Sequence, residues 1–297
     1  MAYPIAIIGA PSSAGAYAPG QEKAPAAFRR HGLIQSLQQT GRVVRDLGDV
    51  PSFRWRPDPS RAKAMNLDAV QRTAESVAKH VATAMKANEI ALVLGGDCTI
   101  ELGTVAGAQQ DGASVGLVYI DFDVDLNPPE KSDGALDWTV AAHLLKLPGT
   151  APELTGLGRH QPMLKPTNLL FLSPNEAEIT PYEKNVMEKL SLKYIPLNTV
   201  KANPAKAAQQ AQQWGARFDR LLIHLDTDVL SYTQFPIAEN VRRSNGLTLD
   251  ELAQVLAILT SAPNWRTLTI TEANPDHAPN EPEIFRQLID ALSSSVA

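Results

Sequence analysis

The sequence predicts an α/β fold, a single three-layer α/β/α domain over residues 1–297 with a mainly parallel sheet. Two observations predict it. Short apolar runs typical of buried strands alternate with amphipathic segments of helical period. Polar residues follow several of these runs directly, as happens where a parallel sheet presents a site at the carboxyl ends of its strands. A chain of 297 residues with 44% hydrophobic content can bury a large core in one domain.

The individual elements follow from periodicity and from the residues that interrupt it. The predicted strands are short apolar runs at residues 5–8, 43–47, 90–94, 118–120, 169–172, 193–197, 220–225 and 268–271. The predicted helices cover residues 25–33, 67–87, a segment beginning near Thr99, 140–145, 182–190, 204–218 and 249–259, the last of the chain. Residues 52–64 and 148–166 are rich in Pro and lack periodicity, which predicts loops.

Charge and composition exclude several classes of partner. The net charge of −5 comes without a long basic run, which argues against nucleic acid and anionic membranes. The opening MAYPIAIIGAPSSAG has neither a charged leader nor an 18-residue apolar span, so we expect no signal peptide and no membrane anchor. Cys98 is the only cysteine and has no partner for an internal disulfide, which favours a reducing, cytoplasmic compartment. A small molecule is left as the expected partner.

Three carboxylates follow the apolar run at residues 118–120. They are Asp121, Asp123 and Asp125, and on a continuing strand their spacing of two would place them on one face. Their mutual repulsion would be severe unless a cation lay between them. A solvated acidic turn is the alternative interpretation, but such turns seldom follow a buried strand so directly.

The run at residues 220–225 repeats this pattern. Asp226 and Asp228 end it, and His224 shares their face. The run at 268–271 ends at Glu272, and the run at 90–94 is followed by two glycines and then Cys98. A lone cysteine is usually a small buried hydrophobe, but beside these acids Cys98 is equally a candidate metal ligand or reactive thiolate.

These residues together indicate a metal site at four strand ends. Carboxylates this dense would raise one another's pKa values, and one or two divalent cations would relieve that repulsion. Oxygen donors favour Mn²⁺, Mg²⁺ or Ca²⁺, whereas a thiolate favours softer ions such as Zn²⁺. A two-metal site hydrolyses its substrate by holding a hydroxide between the ions.

Motifs over nearly the whole chain then resemble a known family. In order they are IIGAPSSAG followed by a Pro-x-x-x-Arg helix start, DLGDVP, LGGDCTIELGT, YIDFDVDLN, GALDW, HLDTDVL, NGLTLDEL and TITEANPDH. The chain resembles the ureohydrolase superfamily, the arginase, agmatinase and formiminoglutamase group. The resemblance implies an arginase-like fold, two Mn²⁺ ions per chain, a guanidino or formimino substrate, and a homo-oligomer, a trimer or hexamer.

The family's motifs GGDH, DAHxD and SxDxD carry site roles over to matching positions. The resemblance implies metal ligands at Cys98, Asp121, Asp123, Asp125, Asp226 and Asp228. Cys98, Asp121, Asp125 and Asp226 would hold one ion, and Asp121, Asp123, Asp226 and Asp228 the other. Glu272 falls where the family has the carboxylate that pairs with the substrate's guanidinium, and Asn127 where a residue contacts its far end.

The departures from the family's pattern concern its histidines. Cys98 and Asp123 replace two histidine ligands, which adds about two negative charges around the ions. Asp137 replaces the proton-shuttling histidine, and His224 stands where the family has a small hydroxyl residue. We expect His224 to supply proton transfer or to tune the metal. The alternative is an imidazole that only hydrogen-bonds a neighbouring carboxylate or carbonyl.

Three functional hypotheses follow. The first is a metal-dependent hydrolase of a linear C–N bond other than a peptide bond, in which a bridging hydroxide attacks the guanidinium-type carbon. The second is a catalytically silent homologue that acts as a binding or regulatory protein. The third is a thiol enzyme in which Cys98 attacks an amidine carbon, with His224 or His143 as its base.

Overall fold

The computed structural model describes residues 3–296. The single domain predicted over residues 1–297 therefore includes three residues, 1, 2 and 297, outside the described range. Eight strands form one sheet. They are β1 (Ile5–Gly9), β2 (Val44–Asp49), β3 (Ile90–Leu94), β4 (Val115–Ile120), β5 (Leu169–Leu172), β6 (Lys193–Ile195), β7 (Arg220–Asp226) and β8 (Trp265–Thr271). Their order is β2-β1-β3-β8-β7-β4-β5-β6, and every neighbouring pair is parallel. The predicted α/β class with a parallel sheet is confirmed.

Helices cover both faces of this sheet. They are α1 (Ala24–Arg30), α2 (Leu33–Gln39), α3 (Leu67–Lys86), α4 (Ile100–Ala108), α5 (Val140–Leu144), α6 (Pro152–Thr155), α7 (Pro181–Leu190), α8 (Leu197–Ala202), α9 (Pro204–Gly215), α10 (Leu249–Thr260) and α11 (Glu281–Ser295). Within residues 3–296, none of them combines the length and apolarity needed to cross a membrane.

Two apolar cores lie on opposite faces of the sheet. Side chains alternate along each strand, so Ala6 and Ile8 of β1 enter the core beneath α3, α4 and α7, whereas Ile5 and Ile7 enter the core beneath α1, α10 and α11. Gly103 and Gly107 let α4 approach α3, because a Cβ at either position would lie 2.3 Å or 2.5 Å from a carbonyl oxygen of α3. The resulting three layers hold the strand ends in fixed positions.

Several predicted boundaries were wrong. The predicted strand 193–197 ends at Ile195, because Pro196 cannot donate to the ladder and residue 197 begins α8. The predicted loop 148–166 contains α6, and the predicted helix 204–218 ends at Gly215. The helix 249–259 is not the last, since α11 follows it with Phe285, Leu288 and Leu292 buried at helical spacing. That spacing was visible in the sequence.

Candidate metal centre

Four adjacent strands, β3, β8, β7 and β4, present their carboxyl ends at one edge of the sheet. Cys98 follows β3, Glu272 follows β8, Asp226 ends β7, and Asp121 follows β4. Because the strands are parallel and neighbours, these four side chains converge. Ligand atoms of Asp121 and Asp226 belong to one group whose members all lie within 4.8 Å of one another.

The strands β4 and β7 end in the same Asp-x-Asp turn. The amide of Asp123 donates to Oδ1 of Asp121 over 2.7 Å, and the amide of Asp228 donates to Oδ1 of Asp226 over the same distance. In each turn one oxygen of the first carboxylate is engaged by this amide, and the second oxygen is left for other contacts. The acids therefore converge by turning out of the strand, and not by alternating along a continued strand as the sequence suggested.

Cys98, His224 and Glu101 form what we call the sulfur side of the centre. The Cys98 Sγ lies 3.0 Å from Oδ2 of Asp226 and 3.5 Å from Nε2 of His224. The other ring nitrogen, Nδ1, lies 3.4 Å from Oε2 of Glu101. Cys98 is 1% exposed and the other two are fully buried. Thiol, imidazole and carboxylate thus form one dry chain of polar contacts.

Local sequence explains how Cys98 reaches this position. Gly96 passes so close to the loop after β1 that a Cβ would lie 1.9 Å from the carbonyl oxygen of Ser12. The amide of Cys98 then donates to Oε1 of Glu272 over 2.8 Å. Helix α4 starts two residues later, which places Glu101 in its first turn behind the thiol.

His224 is fixed by an aromatic neighbour. Its ring stacks on Tyr119, with centroids 4.1 Å apart and planes 9° from parallel. The Tyr119 hydroxyl donates to Oδ2 of Asp125 over 2.5 Å. Asp125 therefore lies beside the centre with one carboxylate oxygen engaged by a phenol, and it belongs to neither of the two close groups of candidate ligands.

Asp123, Asp228 and Arg243 form what we call the arginine side. The Nη2 of Arg243 donates to Oδ2 of Asp123, and its Nε lies 3.8 Å from Oδ2 of Asp228. Its Nη1 lies 3.5 Å from Oε2 of Glu178. The guanidinium also lies over the ring of Phe122, 4.7 Å from its centroid. Arg243, a side chain from the loop after β7, thus lies against the second carboxylate of each Asp-x-Asp turn.

The two sides differ in how well they fit a metal ion. Candidate ligand atoms form two groups, Cys98, Asp121, His224 and Asp226 in one, and Asp121, Asp123 and Asp228 in the other. The first group offers sulfur, nitrogen and oxygen donors that suit a divalent cation. The second group already contacts a guanidinium. In residues 3–296, Oδ1 of Asp228 and Oε1 of Glu101 are buried without a hydrogen-bond partner.

Burial and like charge raise the pKa values throughout the centre. Burial, then the charges of Asp125 and Asp228, raises the pKa of Asp121 well above its usual range. Burial and the charge of Asp226 do the same to the pKa of the Cys98 thiol. Burial raises the pKa of Asp123 to about 7, although Arg243 opposes the shift. These raised pKa values favour the protonated carboxyl groups, and a bound cation would compete with those protons.

A cleft of about 560 Å³ opens onto the centre, and Asp137 and Glu272 line it. Oε2 of Glu272 accepts a hydrogen bond from Gln21 over 3.1 Å. The amide of Asp137 donates to the carbonyl of Gly15, whose own amide donates to Asp97, so the loop after β1 positions this acid. Burial, then the charge of Glu272, raises the pKa of Asp137 well above its usual range.

Three other residues named from the sequence lie away from this cleft. Asn127 donates to Oε1 of Glu183 over 2.8 Å and does not line the cleft. His224 lies behind Cys98 and does not line it either. Both ring nitrogens of His143 are engaged, Nδ1 with the carbonyl of Thr139 at 2.7 Å and Nε2 with the amide of Ala151 at 3.1 Å. His143 is therefore a structural residue and does not serve Cys98 as a base.

Sequence reasoning missed Glu101 and Arg243. Glu101 follows Cys98 by three residues at a helix start, a spacing that returns a side chain to the same face. Arg243 lies in the loop between β7 and α10, where no periodicity predicts its direction. It also missed Tyr17 and Glu239, which line the cleft together with Asp137.

The similarity to known proteins extends over nearly the whole described chain. The family model described as "Arginase family" matches residues 3–291. Arginase-1 of Rattus norvegicus is 28% identical over 304 residues, covering 99% of this chain and 92% of the relative. The structure of arginase from Bacillus subtilis superposes with a TM-score of 0.88 at 23% identity, covering 99% and 98% of the two chains. Formimidoylglutamase from Bacillus subtilis gives 0.76 at 17% identity, covering 100% and 87%.

Proposed function

The chain belongs to the arginase family, and on that premise we propose that it is a metal-dependent hydrolase of a C–N bond, other than a peptide bond, in a guanidino or formimino compound. One observation carries the proposal: a thiol and carboxylates from four adjacent strand ends line one cleft, and an imidazole lies directly behind the thiol. The relatives named arginase and formimidoylglutamase support these two substrate classes.

We assign Mn²⁺ as the ion, held on the sulfur side by Cys98, Asp121 and Asp226, with His224 beside them. Carboxylate oxygens favour Mn²⁺, and one sulfur and one imidazole do not exclude it. When bound, the ion supplies Lewis acidity and an activated water. Glu101 would fix the tautomer of His224, because a carboxylate facing Nδ1 keeps the proton there and leaves Nε2 as a donor of electrons.

Substrate binding is assigned to the acidic wall of the cleft. Glu272 is held in place from both sides, by the amide of Cys98 and by Gln21, so its carboxylate is preorganised to pair with a guanidinium or formimino cation. Its φ of 61° turns the side chain out of the line of β8 toward the cleft. A cationic substrate also suits the neighbouring carboxylates of Asp137 and Glu239.

Asp137 is assigned to proton transfer. Burial and the charge of Glu272 raise its pKa, which favours the protonated acid, and it lines the cleft, so it is placed to protonate the leaving nitrogen. His224 is assigned to the metal instead, because it is fully buried behind Cys98 and its two nitrogens face Cys98 and Glu101. Of the two roles expected for His224 from the sequence, this assignment keeps the tuning of the metal and gives proton transfer to Asp137.

The thiol-enzyme hypothesis has one geometric argument in its favour, the alignment of Cys98, His224 and Glu101. Its chemistry is opposed by the surroundings, since burial and four nearby acids raise the pKa of the thiol. A thiolate forms here only when a cation compensates it, and the sulfur then serves as a ligand rather than as a free nucleophile.

Turnover of a substrate panel tests the proposed function. Purified protein is dialysed against EDTA, reloaded with Mn²⁺, and assayed for release of urea, amine or formamide from arginine, agmatine, a hydroxyguanidine and a formimino amino acid. We expect hydrolysis of one substrate class only after reloading.

Asp137→Asn should lower kcat by about 10²–10⁴-fold, the range for loss of a general acid, without changing metal content. The matched control is Asp290→Asn, an exposed acid on α11.

Metal binding without turnover on any member of the panel would contradict the hydrolase and favour the silent binding protein. Turnover that survives EDTA and is lost in Cys98→Ala would favour the thiol enzyme. Equal kcat in Asp137→Asn and wild type would remove Asp137 from the reaction.

A further inference from the structure

We propose that Arg243 takes the place of a second metal ion, so that this centre holds one divalent cation on its sulfur side and an internal guanidinium on its arginine side. The inference rests on the proposed metal-dependent function and specifies the charge arrangement of the same site. It departs from the two ions that the family resemblance implies. The observation behind it is the Arg243 guanidinium, which donates a hydrogen bond to Asp123 and lies within ion-pair distance of Asp228, at 3.8 Å.

The contacts of Arg243 fix its guanidinium from several directions. Nη2 donates to Asp123, Nη1 lies 3.5 Å from Glu178, and the planar group lies over Phe122. Its carbonyl oxygen accepts the amide of Tyr232 over 2.6 Å, which anchors the loop at this residue. Only 15% of the side chain is exposed. Displacing Arg243 would therefore break an ion pair and a cation–π contact and would expose a side chain that is now mostly buried.

This position excludes an ion for geometric and electrostatic reasons. An ion coordinated by Asp123 and Asp228 would need their oxygens within about 2.0–2.6 Å, the range for Mn²⁺-like hard cations. The guanidinium occupies the space that Oδ2 of Asp123 faces, and its Nε lies 3.8 Å from Oδ2 of Asp228. Its fixed positive charge would repel a dication at such a short separation.

Charge balance points the same way. Asp123 is the carboxylate that adds negative charge to this side, and it is the residue to which Arg243 donates. The sulfur side has no such compensation: within residues 3–296, no Lys or Arg forms an ion pair with Asp121 or Asp226. Buried carboxylates without a countercharge are neutralised by a proton or by a cation from solution. The sulfur side therefore takes its positive charge from a bound ion, whereas Arg243 supplies the positive charge of the arginine side.

Metal stoichiometry tests the inference without any activity assay. Full-length protein is saturated with Mn²⁺ by equilibrium dialysis, counted by elemental analysis, and examined by electron paramagnetic resonance. We expect one ion per chain in wild type, with the spectrum of an isolated Mn²⁺. Arg243→Met keeps an unbranched apolar stem and removes the charge, and it should bind two ions with the spectrum of an exchange-coupled pair. Arg242→Met, the exposed neighbour that also lines the cleft, should bind one.

Two ions in wild type would overturn the inference while leaving the proposed hydrolase intact. One ion in a folded Arg243→Met would overturn it as well, since the guanidinium would then not be what excludes the second ion. The wild-type count decides even if that variant does not fold. No ion in wild type would overturn both this inference and the metal-dependent function.

Discussion

The sulfur side and the arginine side share Asp121 and Asp226 as neighbours but differ in access to solvent. Cys98 is 1% exposed, whereas the side chains of Asp123 and Arg243 on the arginine side are 32% and 15% exposed, and only Asp228 is buried there. Among the described residues, no arginine or lysine forms an ion pair on the sulfur side, whereas Arg243 pairs with Asp123 on the arginine side. The difference shows that the two altered ligand positions are compensated differently, Cys98 by an adjacent imidazole and Asp123 by an adjacent guanidinium.

The largest effect is expected from Asp226→Asn, which removes the charge nearest to both sides. Asp226 contacts the Cys98 sulfur through Oδ2 and the Asp228 amide through Oδ1. We expect the Mn²⁺ affinity to fall more than about 100-fold, beyond the loss typical of residues behind a ligand. Isothermal titration calorimetry with Mn²⁺ measures the affinity of Asp226→Asn, and Asp290→Asn is the control. Wild-type affinity in Asp226→Asn would mean that the ion does not lie between the two turns.

The fold and the acids of this centre were predictable from the sequence because both depend on local patterns. Apolar runs ending in Asp-x-Asp mark where β4 and β7 stop, and parallel strands bring such ends to one edge. The tight glycine pair before Cys98 was likewise a local signal. These features need no knowledge of which residues meet across long loops.

The residues that distinguish the two sides were not predictable in the same way. Arg243 reaches Asp123 across 120 positions of sequence, from a loop without periodicity. Asn127 was expected at the substrate, but the capping box that begins α7 places Glu183 where it accepts the amide of Asn127. Tertiary contacts, and not local propensity, decide these side-chain directions.

A smaller effect is expected from Glu101→Gln, which changes the sulfur side alone. The neutral amide holds a proton on Nδ1 of His224 less strongly than a carboxylate does, and we expect Mn²⁺ affinity to fall about 10–100-fold with the ion count unchanged. His143→Gln is the matched control, because that buried imidazole hydrogen-bonds to the backbone of Thr139 and Ala151 and does not line the cleft. It should lower Tm and leave affinity unaltered. If Glu101→Gln bound Mn²⁺ as tightly as wild type, His224 would not act on the metal through Glu101.

The smallest expected effect is the pH dependence of stability, and it compares the empty with the loaded centre. In the metal-free protein, burial raises the pKa of Asp123 to about 7 and that of Asp121 and Asp226 well above their usual range. A carboxyl whose folded pKa exceeds its unfolded value binds its proton more tightly when folded. Its contribution to stability is therefore complete below about pH 4, the unfolded pKa, and is lost as the pH rises through the folded value.

We therefore expect the Tm of EDTA-treated protein to fall by a few degrees between pH 5 and pH 8, at about 2–4 °C for each 1 kcal/mol in a chain of this size class. Saturating Mn²⁺ should reverse the slope, because the ion binds the ionised carboxylates and competes with protons. Scanning calorimetry with and without Mn²⁺ measures both slopes. Asp123→Asn should flatten only part of the metal-free slope, since Asp121 and Asp226, which border both sides, keep their carboxyl groups. A metal-free Tm that rises over this interval would mean that the carboxylates are compensated without an ion, and the contrast between the two sides would be lost.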